Sequence, residues 1–207
     1  VAAAQSPVLE LSAVQREKVD RGERVVITED RARAPWRAVT VYAYIAATPE
    51  ESMAVFADYE THANYLPSIR KSRISRVVDR ATTEVDYTLA IPIVSDEDYT
   101  VRNQITRAGA DYRMDWVMMR ASSTKATTGH ALLTPWTTRG GRVGTLIEYH
   151  NFVTPGSRLA SLGFIRNRSL RTVDETVGAL VKEIERVRRD RVTIDKRLAA
   201  LRTALAP

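Results

Sequence analysis

Cysteine is absent from all 207 residues. That excludes disulfides, thiolate metal sites and cysteine nucleophiles, although it leaves the compartment open. Histidine is scarce: His62, His130 and His150 are the only three, and they share no recognised ligand spacing. No apolar run approaches the roughly 18 residues of a membrane-spanning helix. No glycine-rich loop followed by Lys-Ser/Thr is present, and Gly140-Gly141 reads as a hairpin turn rather than a phosphate cradle. A nucleophile elbow of the G-x-S-x-G type is missing too. Internal repeats, low-complexity tracts and linkers are likewise absent, so the chain reads as one folded unit.

What is present is ordinary for a globular protein, with 44% hydrophobic and 27% charged residues. The start, Val1-Ala2-Ala3-Ala4-Gln5, resembles the tail of a cleaved secretory signal, and a trimmed chain would look the same. The expectation drawn from it is a periplasmic or secreted protein. Net charge is +6, and the span from Arg158 to Arg202 holds all of that excess, with 12 basic residues against 6 acidic. A basic C-terminal segment suits an anionic membrane surface or an acidic partner, and a solvated helix face rich in arginine is the plainer account of it. Nucleic acid is not expected, because no aromatics interleave with the arginines to stack bases.

Taken in order, Ser12 to Gln15 has the capping-box pattern and starts a short helix that ends by Gly22. Arg24 to Thr28 is a short strand, and Asp30 to Trp36 a loop. Ala38 to Ala46 is rich in strand formers. Thr48-Pro49-Glu50-Glu51 then supplies an N-cap, a proline at the first helical position and acids at the positive helix end. Met53 and Phe56 give this helix its buried side. A second short helix or turn runs to Pro67. From Ile69 the period becomes alternating, with strands expected over 69–78, 83–91, 97–107, a row from Tyr112 to Met118, 126–136 and 142–153. Short turns between them predict an antiparallel meander with one buried face.

After Thr154-Pro155-Gly156, Ser157 is placed to cap a helix running to about Arg188. Leu159, Leu162, Arg166, Leu170, Val173, Val177, Leu180, Ile184 and Val187 recur at spacings of three and four, one stripe down about eight turns. Beyond Arg188 the pattern continues through Leu198, Leu201 and Leu205, exceeding what the sheet covers. This tail is expected to project or to meet a partner.

The order of elements, with several local patterns, resembles the helix-grip fold of the START and Bet v 1-like superfamily, in particular its bacterial START-like members. The patterns are Ile45-Ala46-Ala47-Thr48-Pro49-Glu50-Glu51 leading to Phe56-Ala57-Asp58-Tyr59, then Tyr65-Leu66-Pro67 and Ser95-Asp96-Glu97-Asp98-Tyr99-Thr100-Val101. Tyr112 to Trp116, Leu133-Thr134-Pro135-Trp136 and Tyr149 to Gly156 follow. The resemblance covers roughly residues 39–188. It implies an α+β fold in which a curved antiparallel β-sheet wraps a long C-terminal α-helix, with two short helices after the first long strand. The expected divisions are a lead-in over 1–36, the helix-grip domain over 37–188 and a basic amphipathic helical tail over 189–207.

The resemblance also implies a deep, mostly apolar pocket between sheet and helix that holds a lipid, sterol, polyketide or similar molecule. Parity independently puts Val85, Tyr87 and Leu89, then Tyr99, Val101 and Asn103, then Met114, Trp116 and Met118 on one face. Packed core accounts for any one of them taken singly. Asn103 is the clearest inward polar residue. Tyr149 and Asn151 are favoured inside over Glu148 and His150, and Leu162, Arg166, Leu170 and Val173 come from the helix stripe. Arg102 is out of phase, so the buried arginine of some START-like domains does not carry over.

An enzyme would need an acid–base group beside its substrate. His130, His150, Glu148 and Asp98 are candidates by type, and no spacing pairs them. The reading is therefore a non-catalytic protein that binds and transports a hydrophobic small molecule, with no catalytic residue, metal or cofactor assigned. A polyketide cyclase or dehydratase-like enzyme using the same cavity is the alternative.

Overall fold

The computed structural model describes residues 11–31, 34, 36–90, 96–156 and 163–206, with the side chains of 163–170 outside the description. Helix α1 (Ala13–Asp20) starts at a complete capping box, Ser12 with Gln15. Strands β1 (Val25–Glu29) and β2 (Ala38–Ile45) follow, then helix α2 (Pro49–Phe56) behind a second capping box, Thr48 with Glu51. A 3₁₀ turn (Tyr59–Thr61) and the short α3 (His62–Tyr65) lead to six more strands. These are β3 (Ile69–Val77), β4 (Thr82–Leu89), β5 (Glu97–Ala108), β6 (Asp111–Ala121), β7 (Ala126–Thr137) and β8 (Val143–Thr154). Helix α4 spans Gly163–Val187 and α5 spans Arg191–Ala204. The Ser157 cap and the first turn expected of the long helix lie outside the described residues.

All pairings are antiparallel, in the order β1-β2-β8-β7-β6-β5-β4-β3, a curved sheet with the meander at one side. The early strand β2 inserts between β1 and the last strand, β8. All eight of its residues are buried, which requires cover on both faces. On the inner face Val39, Val41, Ala43 and Ile45 join one core with α2 and with Val173, Val177, Leu180, Ile184 and Val187 of α4. On the outer face Tyr42, Tyr44 and Leu146 pack with Leu11, Val19 and Val25 in a second core. Asp20 at the end of α1 accepts from Trp136 Nε1 at 2.9 Å and from the Arg139 amide at 3.2 Å, fixing that helix to the β7–β8 hairpin. Arg24, just before β1, and Asp174 of α4 form a two-pronged ion pair at 2.5 and 2.9 Å.

The tail does not project as expected. The chain turns after Val187, Asp190 caps α5 through Thr193, and α5 folds back against α2. Ile194 and Leu201 are buried in the main core. Arg197 pairs with Asp58 at 2.7 Å and Arg202 with Glu50 at 2.9 Å. The apolar stripe continues in phase through this break, so periodicity alone leaves open an extension of the long helix or a separate amphipathic segment; the cap at Asp190 decides for the second.

If α5 is a docked part of the core, Ile194→Ala lowers unfolding free energy by about 2–4 kcal/mol. Val192→Ala, at an exposed position of the same helix, changes it by less than about 0.5 kcal/mol. Urea titration of both variants checks this; equal small changes would mean an undocked tail.

Candidate functional site

Between the inner sheet face and the N-terminal half of α4 the side chains leave a cavity of about 270 Å³. The C-terminal half of the same helix has no such space, since Val177, Leu180, Ile184 and Val187 are fully covered. The cavity wall takes Tyr87 and Leu89 from β4, Tyr99, Val101 and Asn103 from β5, and Met114, Trp116 and Met118 from β6. Tyr149 and Asn151 of β8 and Val173 of α4 complete the part of the wall that parity and the helix stripe had singled out. Val85 corrects that reading. It shares the face of Tyr87 and stands opposite Val101, but its short side chain is wholly covered and belongs to the packed floor. Leu162, Arg166 and Leu170 fall outside the description of side chains.

Register explains how the wall is assembled. Asn103, Trp116, Gly129 and Asn151 face one another in a row across four strands. A Cβ on Gly129 would lie 2.5 Å from the Trp116 ring and closer still to the His150 carbonyl oxygen. Its absence lets the indole lie over the strand, where Nε1 donates to Asn151 Oδ1 at 3.1 Å. Tyr149 packs on Trp116 with ring centroids 4.9 Å apart, and Phe56 meets both rings. The register runs unbroken from Asn103–Trp116 to Val101–Met118, so Met118 stays on the wall by plain alternation; the bulge falls beyond it, where Thr100 pairs with Arg120 and Met119 turns to solvent.

Several wall residues come from segments without a readable period. Trp36 enters from the loop before β2, and its buried Nε1 has no hydrogen-bond partner. Phe56 and His62 come from α2 and α3, and Leu66 to Ile69 form part of the rim. Ser68 there has φ 65, in the left-handed region, and its carbonyl accepts from the Ala90 amide at 2.7 Å. Thr172 and Thr176 flank Val173 one helical turn apart, a polar pair whose spacing in the sequence gives the only available hint.

His62 is the buried ionisable base of the wall. Its Nε2 lies 2.9 Å from the Phe56 carbonyl, which can only accept, so Nε2 carries the proton. Nδ1 then accepts from Tyr87 Oη at 2.9 Å. Burial pushes its pKa down to about 4; the bond to Phe56 opposes the shift and the Arg197 charge adds to it. Glu97, at the rim, accepts from Ser122 Oγ, Ser123 Oγ and the amides of Ser123 and Thr124. Burial raises its pKa, but those bonds outweigh it and hold the carboxyl below its usual range. Tyr87, Tyr99 and Tyr149 are all raised by burial and remain phenols.

The acid–base candidates by residue type stand elsewhere. Glu148 accepts from Tyr42 Oη at 3.0 Å and sits 2.9 Å from His130 Nε2. His150 Nδ1 meets Thr40 Oγ1 at 2.9 Å, and the two imidazoles stack 5.3 Å apart. Glu148 and His150 have the opposite parity to Tyr149 and Asn151, so this network lies on the outer sheet face, away from the cavity. Asp98 accepts from Thr88 Oγ1 at 2.6 Å, also off the wall. Arg102 pairs with Glu84 at 2.7 Å and does not line the cavity. Among the described residues no group of three His or acidic side chains is arranged to hold a metal ion.

Solved structures share this fold. A STAR-related lipid transfer protein from Xanthomonas axonopodis superposes with a TM-score of 0.68 at 14% identity, covering 78% of this chain and 93% of its own. The chain has the START-like helix-grip fold. Human STARD10 gives 0.62 at 13% identity over 78% of this chain and 69% of that one. The Zhui aromatase/cyclase from a Streptomyces species gives 0.54 at 17% identity over 72% and 94%. No protein-family model and no curated protein matches the sequence. The START-like likeness is therefore one of fold, and the site is argued from its own residues.

Because folded His62 titrates near 4 and an unfolded histidine near 6.5, the unfolded chain alone binds that proton in between. Stability then falls as pH drops from about 6.5 to about 4, by up to about 3 kcal/mol from this group, and levels off below. Urea unfolding across that window should show a flatter slope for His62→Gln than for the native chain. Parallel slopes would remove His62 as the cause.

Proposed function

We propose that this protein binds a lipid-like or other hydrophobic small molecule in the cavity under α4 and transports it. The observation that carries this reading is the cavity itself. Strand parity and the helix stripe put large apolar and aromatic side chains on its wall, yet they leave about 270 Å³ open. Apolar concavities with a few polar groups are the usual small-molecule sites. The START-like lipid transfer structures of the same fold add to the prior only by analogy.

A cyclase-like activity is the second reading, favoured by one observation: the His62–Tyr87 pair lines the cavity. Against it, a histidine whose pKa lies near 4 is a weak base at neutral pH, and both its nitrogens are engaged. Binding without chemistry accounts for the pair as a wall element. Docking on anionic membrane belongs to the same proposal. Arg171, Lys182, Arg189, Arg191 and Lys196 are exposed on α4, α5 and the turn between them, and each adds about 1 kcal/mol near such a surface.

Native mass spectrometry with solvent extraction of the purified protein is the direct test, and an apolar molecule bound one per chain is the expected result. Thr176→Trp, which fills the space from the helix side, should keep the unfolding midpoint and weaken ligand binding at least about tenfold. A chain that neither carries nor exchanges any apolar molecule would sink the proposal.

A further inference from the structure

Ion pairs made beyond the end of α4 converge on α2 and the turn after it. Arg188 reaches Glu51 at 3.3 Å, Arg202 of α5 reaches Glu50 at 2.9 Å, and Arg197 of α5 reaches Asp58 at 2.7 Å. The first two meet the start of α2, and their arginines stand largely in solvent. Arg197 differs, with a side chain only 11% exposed, less than any other ion-paired arginine among the described residues. Its Nη1 is buried without a hydrogen-bond partner. A guanidinium taken out of water and left partly unsatisfied is a poor source of stability, because an apolar side chain of similar volume packs there at no such cost. Some other constraint keeps the charge in place.

Asp58 shows what that constraint is. It stands between α2 and the 3₁₀ turn, and its carbonyl accepts from the Thr61 amide at 3.1 Å and from Thr61 Oγ1 at 2.8 Å. On either side of this turn are Phe56 and His62, both on the cavity wall. Their rings stack 5.7 Å apart, and His62 Nε2 donates back to the Phe56 carbonyl. The 3₁₀ turn and α3 are three and four residues long, too short to hold themselves, and they add no rung to the sheet. One flank is tied to β3, where Ser72 Oγ accepts from the Ala63 amide at 3.0 Å and donates to the Glu60 carbonyl at 3.2 Å. The other flank is tied to α5 by Arg197. Neither Arg197 nor any other residue of α5 lines the cavity.

Resting on the hydrophobic-ligand reading above, we infer that Arg197 is a positioning residue for the cavity. Its pair with Asp58 fixes the 3₁₀ turn, and the turn sets where Phe56 and His62 stand on the wall. Affinity for an apolar occupant thereby depends on a helix that the occupant never meets.

The full chain is compared at pH 7 with Asp58→Asn, Arg197→Met, Arg197→Lys and Arg202→Met. Binding of the uncharged fluorophore N-phenyl-1-naphthylamine is read by fluorescence, and the His62 imidazole is titrated by NMR. Asp58→Asn and Arg197→Met should each weaken the fluorophore about tenfold. Arg197→Lys, which keeps the charge, should recover part of that loss. Arg202→Met, at the far end of the same helix contact, should stay within about twofold of the native chain. A turn released from its tie admits water to His62, so its titration should move up from about 4 toward 6.5 in both weakening variants. Charge alone predicts the opposite for Asp58→Asn, which would leave the Arg197 cation unbalanced and push His62 further down. If Arg197→Met folds poorly, Asp58→Asn carries the test by itself, since its side chain keeps the native shape. Native affinity in Asp58→Asn, or a His62 titration there that stays put or falls, would overturn the inference and leave the hydrophobic-ligand reading intact. If the native chain binds neither the fluorophore nor anything apolar that co-purifies, both fall together.

Discussion

Strand β2 has no exposed face, so two separate apolar layers must meet on it. One is the long helix α4 with α2, and the other is the short helix α1 with the outer aromatic residues Tyr42 and Tyr44. Burial of this kind contributes about 25 cal/mol per Å² of apolar surface removed from water. The N-terminal segment is therefore a cover that the sheet needs rather than a dispensable lead-in. With β2 held on both faces, β8 has a fixed partner, and the register of the meander follows strand by strand out to β3.

The same anchoring sets where space is left. Helix α4 is pressed onto β2 and α2 along its C-terminal half, where its buried row is continuous. The sheet curves away under its N-terminal half, and there only Thr172, Val173 and Thr176 line the space among the described residues. Stability and the candidate site are thus divided along one helix. The unpartnered indole of Trp36 belongs to the open end, where an unsatisfied buried donor costs about 1–3 kcal/mol.

Much of this was legible because a strand reports its faces at period two. Tyr87, Leu89, Tyr99, Val101, Asn103, Met114 and Trp116 could be assigned to one side from alternation alone, and they stand on the wall together. Met118 follows by the same alternation, since the bulge between β5 and β6 falls only after it. Val85 shows the limit of parity, which gives the face and not the depth: its side chain lies on the right side but beneath larger neighbours. Trp36 and His62 were not legible, because a loop and a four-residue helix carry no period long enough to read, while Phe56 was legible as buried but not as part of the wall. The tail was misjudged for another physical reason. A stripe in phase across Arg188–Asp190 looks the same whether the helix runs on or folds back, and only the cap at Asp190 and ion pairs to α2 distinguish the two.

Gly129 and Trp116 occupy one volume between them, since the space a Cβ would fill is held by the indole. Position 129 is consequently closed from two sides. A smaller ring at 116 would open only one of them, because the His150 carbonyl is backbone and stands closer still whatever residue occupies 116. The tryptophan can therefore change while the glycine stays, but the glycine has no such freedom, and the wall that Asn151 shares with the indole is built on the position that cannot vary.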